Sequence, residues 1–260
     1  DAVRERHDLV KLDRYQKEAY QGLLKIARQF NGALLCDGVG LGKTFVGLML
    51  LERLVVHERK RVVLLVPKSG RDAVWEENIR QYLPDLLNNP YVSLKIYNHT
   101  DLLRSASGDR NWPEEFEHIK KSADVFITDE GHNFRTRSSG RYKKLFDLMS
   151  GGKKLFILTA TPINNSLLDL KNQIDLFAQR DDKFFSRAPI AVNSLMGYFK
   201  TKEKELHKIA GPTPDDISND ITRDILGSDE LFRNLIVQRS RSYVKQSIEL
   251  ENSTRKIEFP

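Results

Sequence analysis

The chain has 260 residues, enough for one large domain or two small ones and for a proper buried core. Its 42 lysines and arginines against 36 acids leave a net charge of +6, which mildly favours an anionic partner without identifying it. A single cysteine, Cys36, excludes an intramolecular disulfide framework, and with no Cys/His cluster a zinc site is not expected. The longest apolar stretch, residues 45–56, contains Glu52 and Arg53 and is too short to span a membrane, and no charged-then-apolar leader opens the chain. The expectation is a soluble, cytoplasmic protein with no membrane partner. The charged start at Asp1 and the abrupt end at Pro260 suggest a piece of something longer.

In chain order, a helix follows residue 12, with Ala19, Leu23, Ile26, Ala27 and Phe30 on one face and Asn31-Gly32 ending it. Arg14, Tyr15 and Gln16 stand at its start. An amide such as Gln16 can pair both edges of adenine, although the same residues also suit a plain amphipathic helix. Residues 33–36 predict a short buried strand, and a glycine-rich turn with Gly38, Gly40, Leu41 and Gly42 leads to Lys43-Thr44 and an apolar helix from Phe45. Strand, glycine loop and helix in that order form a phosphate-binding motif. Its N–H groups and helix N-terminus face an anion. Lys43 can neutralise the β- and γ-phosphates and Thr44 can hold Mg2+. Asp37 departs from the generic pattern, which has glycine there.

Residues 61–66 read as a fully buried strand ending in Pro67-Lys68-Ser69, where Lys68 and Ser69 suit either a phosphate contact or a solvated loop. Trp75, Ile79 and Tyr82 mark a helix stopped at Pro84. Residues 91–97 alternate like a strand that ends in Asn98, His99 and Thr100, expected as a surface turn, and residues 105–113 are turn-rich. A third buried strand, 123–128, ends in Asp129-Glu130-Gly131-His132. An acid at that strand tip, beside a phosphate loop, is the second expected Mg2+ partner, which fits Asp129; Glu130 would orient and deprotonate the attacking water. Residues 133–146 carry five basic side chains including Arg135 and no acid, so part of that run could meet a phosphate backbone. Strand 154–158 runs into Thr159-Ala160-Thr161-Pro162-Ile163-Asn164-Asn165, and Leu167, Leu170, Ile174 and Phe177 give a further helix face.

Strands alternating with helices predict an α/β fold with a doubly wound, mostly parallel sheet over residues 1–180. The polar clusters all fall at strand ends on one edge. From 181 to 260, Pro189, Gly197, Gly211, Pro212, Pro214 and Gly227 punctuate short helical pieces, which suggests a helical insertion or appendage. Within it, residues 231–248 are basic without an acid.

Together these motifs resemble the superfamily two helicases, and within them the Swi/Snf-type DNA translocases. Arg14-Tyr15-Gln16 resembles the adenine-reading glutamine motif. Residues 37–44 resemble that family's Asp-Glu-Met-Gly-Leu-Gly-Lys-Thr, which also places Asp where the generic pattern has Gly. Pro67-Lys68-Ser69 resembles the first DNA-contacting motif, and residues 129–132 resemble Asp-Glu-Ala-His with Gly131 for Ala. Residues 158–164 resemble the third motif, and Gln238-Arg239-Ser240-Arg241 is a looser match to Leu-Arg-Arg-x-Lys. The stretch 129–135 is similar to bacterial members. The resemblance implies a RecA-like motor lobe that binds ATP and Mg2+, a second RecA-like lobe elsewhere in the parent, and duplex DNA held through its backbone without sequence specificity. It implies adenine contacts from Arg14 and Gln16, and coupling or DNA contacts from Pro67, Lys68, Ser69, Asn98, His99, Arg135, Thr159 and Thr161. Lys43, Asp129 and Glu130 would carry catalysis. A strand-separating DNA or RNA helicase and, for the lone lobe, a non-hydrolysing ATP/DNA-binding module remain as alternatives.

Overall fold

A computed structural model describes residues 13–89, 93–106, 110–163, 166–187, 189–210 and 227–250. Its centre is a six-stranded sheet of β1 (Gly32–Leu35), β2 (Val62–Val66), β3 (Leu94–Asn98), β4 (Val125–Asp129), β5 (Lys154–Leu158) and β6 (Ile236–Val237). The order is β3-β2-β4-β5-β1-β6, and every pairing is parallel. Leu34 lies opposite Ile157 on one side and Ile236 on the other, and Leu64 lies opposite Ile127. Parallel strands need crossovers, so every strand starts at one edge and ends at the other. All the strand-end clusters of the sequence therefore meet at one edge.

The strand period of two splits the apolar residues between two cores. Leu35, Leu64, Ile127 and Phe156 face α1 (Arg14–Phe30), α2 (Lys43–Leu51) and α3 (residues 68–82), where Leu23, Leu50 and Trp75 cover them. Leu34, Leu65, Phe126 and Ile157 face the other way. There they meet α4 (Trp112–Ser122), α5 (Gly140–Leu148), α6 (Leu167–Ala178), α7 (Leu195–Ala210) and α8 (Glu230–Leu235). A final helix, α9 (Arg241–Leu250), lies against α1 through Val244, Tyr15 and Leu41.

Several expectations change. The turn after β3 is only partly a surface turn: Thr100 is exposed, but His99 is only 3% exposed and lies edge-on to Phe134, with ring centroids 4.9 Å apart. Within residues 105–113, the helix already begins at Trp112, capped by Asn111, with Pro113 in its first turn, where a missing N–H costs nothing. Tyr91, Val92, Asn164, Asn165 and residues 107–109 fall outside the described residues, as do 1–12, 211–226 and 251–260. The segment expected as an appendage after 180 supplies β6, so the sheet does not end where the first 180 residues do. Its Leu231, Phe232 and Leu235 are at most 1% exposed, and the Cys36 N–H donates to the Val237 carbonyl at 2.8 Å.

A chain cut after residue 180 would therefore uncover one side of β1 and much of the second core. It is expected to lose the cooperative thermal transition of the 260-residue chain, monitored by circular dichroism; an unchanged transition would place the sheet's integrity in residues 1–180 alone.

Candidate nucleotide site

β1 stops at Leu35, and the loop to α2 turns on Gly40 and Gly42, at φ 84° and 73°. Side chains resist that left-handed region, so glycine is needed at both positions. Gly42 caps α2, so Lys43 and Thr44 sit in the helix's first turn. The Lys43 ammonium donates to the carbonyls of Asp37 at 3.0 Å and Gly38 at 3.1 Å, so the loop curls around its own lysine. Burial holds the Lys43 pKa below its ordinary value, while the carboxylates of Glu130 and Asp129 pull it back up.

Asp129 ends β4 on the same edge. One carboxylate oxygen accepts from the Trp75 indole N–H at 2.8 Å and the other from the Glu130 N–H at 2.9 Å. Burial raises its pKa despite the indole bond, which works the other way. Glu130 is left-handed at φ 48°, ψ 52°, outside the strand geometry that precedes it. Strained backbone of this kind persists where the surroundings fix it. Here the Asn133 amide donates to the Glu130 carbonyl at 2.9 Å, and His132 Nδ1 stands 3.0 Å from the Glu130 carboxylate. Gly131 stands where the resembling motif has alanine because a Cβ there would come 2.2 Å from Cγ2 of Ile157 on β5.

Lys43, Thr44, Asp129 and Glu130 line one open cleft of about 500 Å3. The half-buried Pro67 and the exposed Ser69, expected at DNA or in coupling, also line this cleft; Lys68 between them is exposed and does not line it. Gln16 is buried against the loop: its Nε2 occupies the space a Cβ on Gly42 would need, and its Oε1 accepts from the Asp13 N–H at 3.0 Å. Arg14 instead points outward and pairs with Glu18 at 3.1 Å. The Leu41 side chain packs with Tyr15 and Val244, leaving only its backbone for a phosphate. Thr159 is buried; its N–H donates to the Leu35 carbonyl at 3.0 Å and its hydroxyl accepts from the Thr161 N–H at 3.3 Å. Thr161 and Gly38 border a second cavity, of about 320 Å3, with Arg239 and Arg241. At the far end of the edge, the Asn98 N–H donates to Asp101 at 2.8 Å, and the half-buried Arg135 accepts through its carbonyl from Asn172 at 2.8 Å.

Among the described residues no group of three His, Cys, Asp or Glu side chains could hold a metal. Mg2+ commonly takes only one or two protein oxygens and completes its shell with water and phosphate. Thr44 and Asp129, both lining the cleft, fit that donor set.

Asp37 and Arg239 were not singled out as site residues from sequence. Asp37 is fully buried and its carboxylate accepts from the Arg239 N–H at 2.9 Å, from Nε at 3.2 Å and from Nη2. Arg239 also lies over the Tyr15 ring at 5.2 Å, and burial lowers its pKa to about 10. The sequence signals were the aspartate at a glycine position, shared with the resembling motif, and the loose match of residues 238–241 to Leu-Arg-Arg-x-Lys within an acid-free basic run.

A parallel sheet with a glycine loop, its lysine and a strand-tip acid at one edge defines a RecA-like P-loop nucleotide-binding lobe. Residues 15–181 match the SNF2-related domain, and the chain belongs to that family. It is 29% identical over 161 residues to the uncharacterized ATP-dependent helicase YqhH of Bacillus subtilis, covering 58% of this chain and 27% of that protein. It is 26% identical over 220 residues to a Caenorhabditis elegans homolog of the SWI/SNF-related, matrix-associated, actin-dependent regulator of chromatin subfamily A containing DEAD/H box 1, covering 75% of this chain and 21% of that protein. Its fold is similar to the Sulfolobus solfataricus SWI2/SNF2 ATPase core solved in complex with dsDNA, with a TM-score of 0.57 and 19% identity over 88% of this chain and 44% of that one. The chain thus spans about a quarter of these curated relatives and under half of the solved core. No helix among the described residues is long and apolar enough to cross a membrane.

Two outcomes follow from the buried charges. Arg239→Ala strands the Asp37 carboxylate and is expected to cost about 3–5 kcal/mol in denaturant unfolding, with Asp37→Asn/Arg239→Ala costing less than Arg239→Ala alone. Additive costs would show that the pair is not coupled. Burial lowers the His99 pKa from 6.5 to about 4. Between those pH values the unfolded chain binds the extra proton, so stability falls as pH drops from 6.5 to about 4. His99→Gln should flatten that dependence in urea melts at pH 7 and 4.5; an unaltered slope would assign it to other groups.

Proposed function

We propose that the chain is the ATP-hydrolysing motor lobe of a larger DNA translocase. The observation that carries this is the convergence of Lys43, Thr44, Asp129 and Glu130 on one cleft at the strand-end edge. In this function the loop N–H groups and Lys43 cradle the phosphates, and Lys43 exchanges its bonds to the Asp37 and Gly38 carbonyls for phosphate oxygens. Thr44 and Asp129 would hold Mg2+, which neutralises charge on the phosphates. Glu130, oriented by His132 and Asn133, positions and deprotonates the attacking water, giving ADP and phosphate. Gln16, already seated against Gly42, stands on the loop's flank for the base. Thr159 and Thr161 tie the β1 end to the loop after β5 and would pass the nucleotide state on. Lys68, Asn98, His99 and Arg135 lie on the same edge, and of these the exposed Lys68 and half-buried Arg135 suit a phosphate backbone. Such contacts hold duplex DNA without reading its sequence.

A second RecA-like lobe of the parent would supply the cations that stabilise transition-state charge. For the lone lobe, the Lys43 bonds to its own loop favour a binding module that turns over slowly.

Lys43→Ala is expected to weaken Mg-ATP binding at least tenfold in titrations with a fluorescent nucleotide, while Glu130→Gln keeps binding; equal affinity for Lys43→Ala would contradict the phosphate role. In the two-lobed parent, Glu130→Gln should lower turnover by about 100-fold or more. Stimulation of that turnover by duplex DNA, above single strands or RNA, supports translocation. Preference for RNA or single strands would support the strand-separating alternative.

A further inference from the structure

Two adjacent amide side chains on α6 join segments that reach the nucleotide edge from different strands. Gln173 is fully buried, and its Nε2 donates to the Pro162 carbonyl at 3.0 Å and to the Asp169 carbonyl at 3.4 Å. Both partners only accept, which fixes the orientation of the amide and turns its oxygen the other way. That oxygen faces Gly131: a Cβ added there would lie 3.6 Å from it. The oxygen is buried and has no donor among the described residues. From the neighbouring position, the half-buried Asn172 donates through Nδ2 to the Arg135 carbonyl at 2.8 Å. Neither amide lines the nucleotide cleft.

The helix that carries them is well anchored. Leu167, Leu170 and Ile174 of α6 are fully buried, and the Leu167 N–H donates to the Glu203 carboxylate of α7 at 2.7 Å. What the amides hold is irregular: the turn after β4, with Glu130 left-handed, and the loop 159–163, which has neither helix nor strand. Side chains on a packed helix fix position better than loops fix themselves. The bonds also form one continuous path. Thr159 donates to Leu35 at the end of β1, Gln173 holds Pro162 three residues on, and Asn172 holds Arg135, in the turn that Asn133 ties back to Glu130. An apolar side chain would fill position 173 without burying an unbonded oxygen, so the amide needs a reason beyond packing.

We propose that Asn172 and Gln173 form a brace that positions Glu130 for hydrolysis and ties its turn to the loop after β5, the Gln173 oxygen accepting a backbone N–H of Gly131 or His132 when nucleotide is bound. Both are positioning residues, and their role presupposes the hydrolytic function proposed above. Movement of the 159–163 loop then reaches Glu130 through two hydrogen-bonded side chains on one rigid helix, a physical link between two elements at the same edge.

The test compares hydrogen exchange of the 260-residue chain with and without a non-hydrolysable Mg-ATP analogue, in wild type, Gln173→Met and Asn172→Ala. Methionine keeps the length of the side chain, and alanine at position 172 suits a helix. In wild type, residues 129–135 and 159–163 should gain protection together. Each variant should bind the analogue within about twofold of wild type and protect residues 36–44 as before, yet lose most of the gain in 159–163. In the two-lobed parent each should lower kcat about tenfold and leave KM for ATP within about twofold, because the brace orients the base without holding the nucleotide. Wild-type-like protection of 159–163 in both variants would overturn the proposal, as would an unchanged kcat. Weaker binding with protection lost at 36–44 would overturn it too, marking amides that only hold the fold. If Gln173→Met does not fold, Asn172→Ala decides by the same readouts. A wild-type parent without turnover would overturn the hydrolytic function instead, and exchange would still decide whether the two segments are tied.

Discussion

The ion pair between Asp37 and Arg239 is the constraint on which the rest of the site depends. Two residues 202 positions apart meet with the aspartate fully buried. Burying such charges is expensive unless each is paired and hydrogen-bonded, and here three donors of one arginine meet one carboxylate. The cost is repaid in position. Asp37 is the residue whose carbonyl holds the Lys43 ammonium, so the arginine that fixes Asp37 also fixes the phosphate loop. The same segment adds β6 to the sheet and seats Val244 on Tyr15 and Leu41, beside Gln16. The phosphate loop is thus closed from outside by the end of the described chain.

Parallel pairing turns this local constraint into a polarity of the whole lobe. Because all six strands run the same way, the phosphate loop, Asp129, Pro67 and Thr159 share one edge, while Lys60, Lys121 and Lys153 share the other. One edge places a half-buried lysine among carboxylates around a cleft; the other crowds lysines around an open depression. The chain's modest positive charge is therefore unevenly spread, and its distribution is more informative than its sum.

What was legible in the sequence was contiguous. The phosphate loop and the Asp129-Glu130 strand tip need neighbouring residues in fixed order, so motif and strand pattern located both, and four of the buried strands stood out as apolar runs. β6 did not, because two residues are too short for any periodicity. Its place in the sheet comes from β1 and from the helices around it, so a segment that looked like an appendage is part of the core. Arg239 was legible as part of a basic run and of a loose match to Leu-Arg-Arg-x-Lys, but its pairing with Asp37 was not, since that partner lies 202 positions away. His99 looked like a turn residue; its burial follows from Phe134, on the segment after β4. Pro67 and Ser69 were assigned to DNA contact or coupling by analogy, and the start of α3 places both in the lining of the cleft.

Hydrogen exchange across residues 36–44 and 236–241, with and without Mg-ATP, tests the central claim most directly. If Arg239 closes the loop that binds phosphate, both segments gain protection together when nucleotide is added, and Arg239→Ala raises exchange in residues 36–44 before any nucleotide is present. Protection confined to 36–44, with 236–241 unmoved and the loop unaltered by Arg239→Ala, would contradict it.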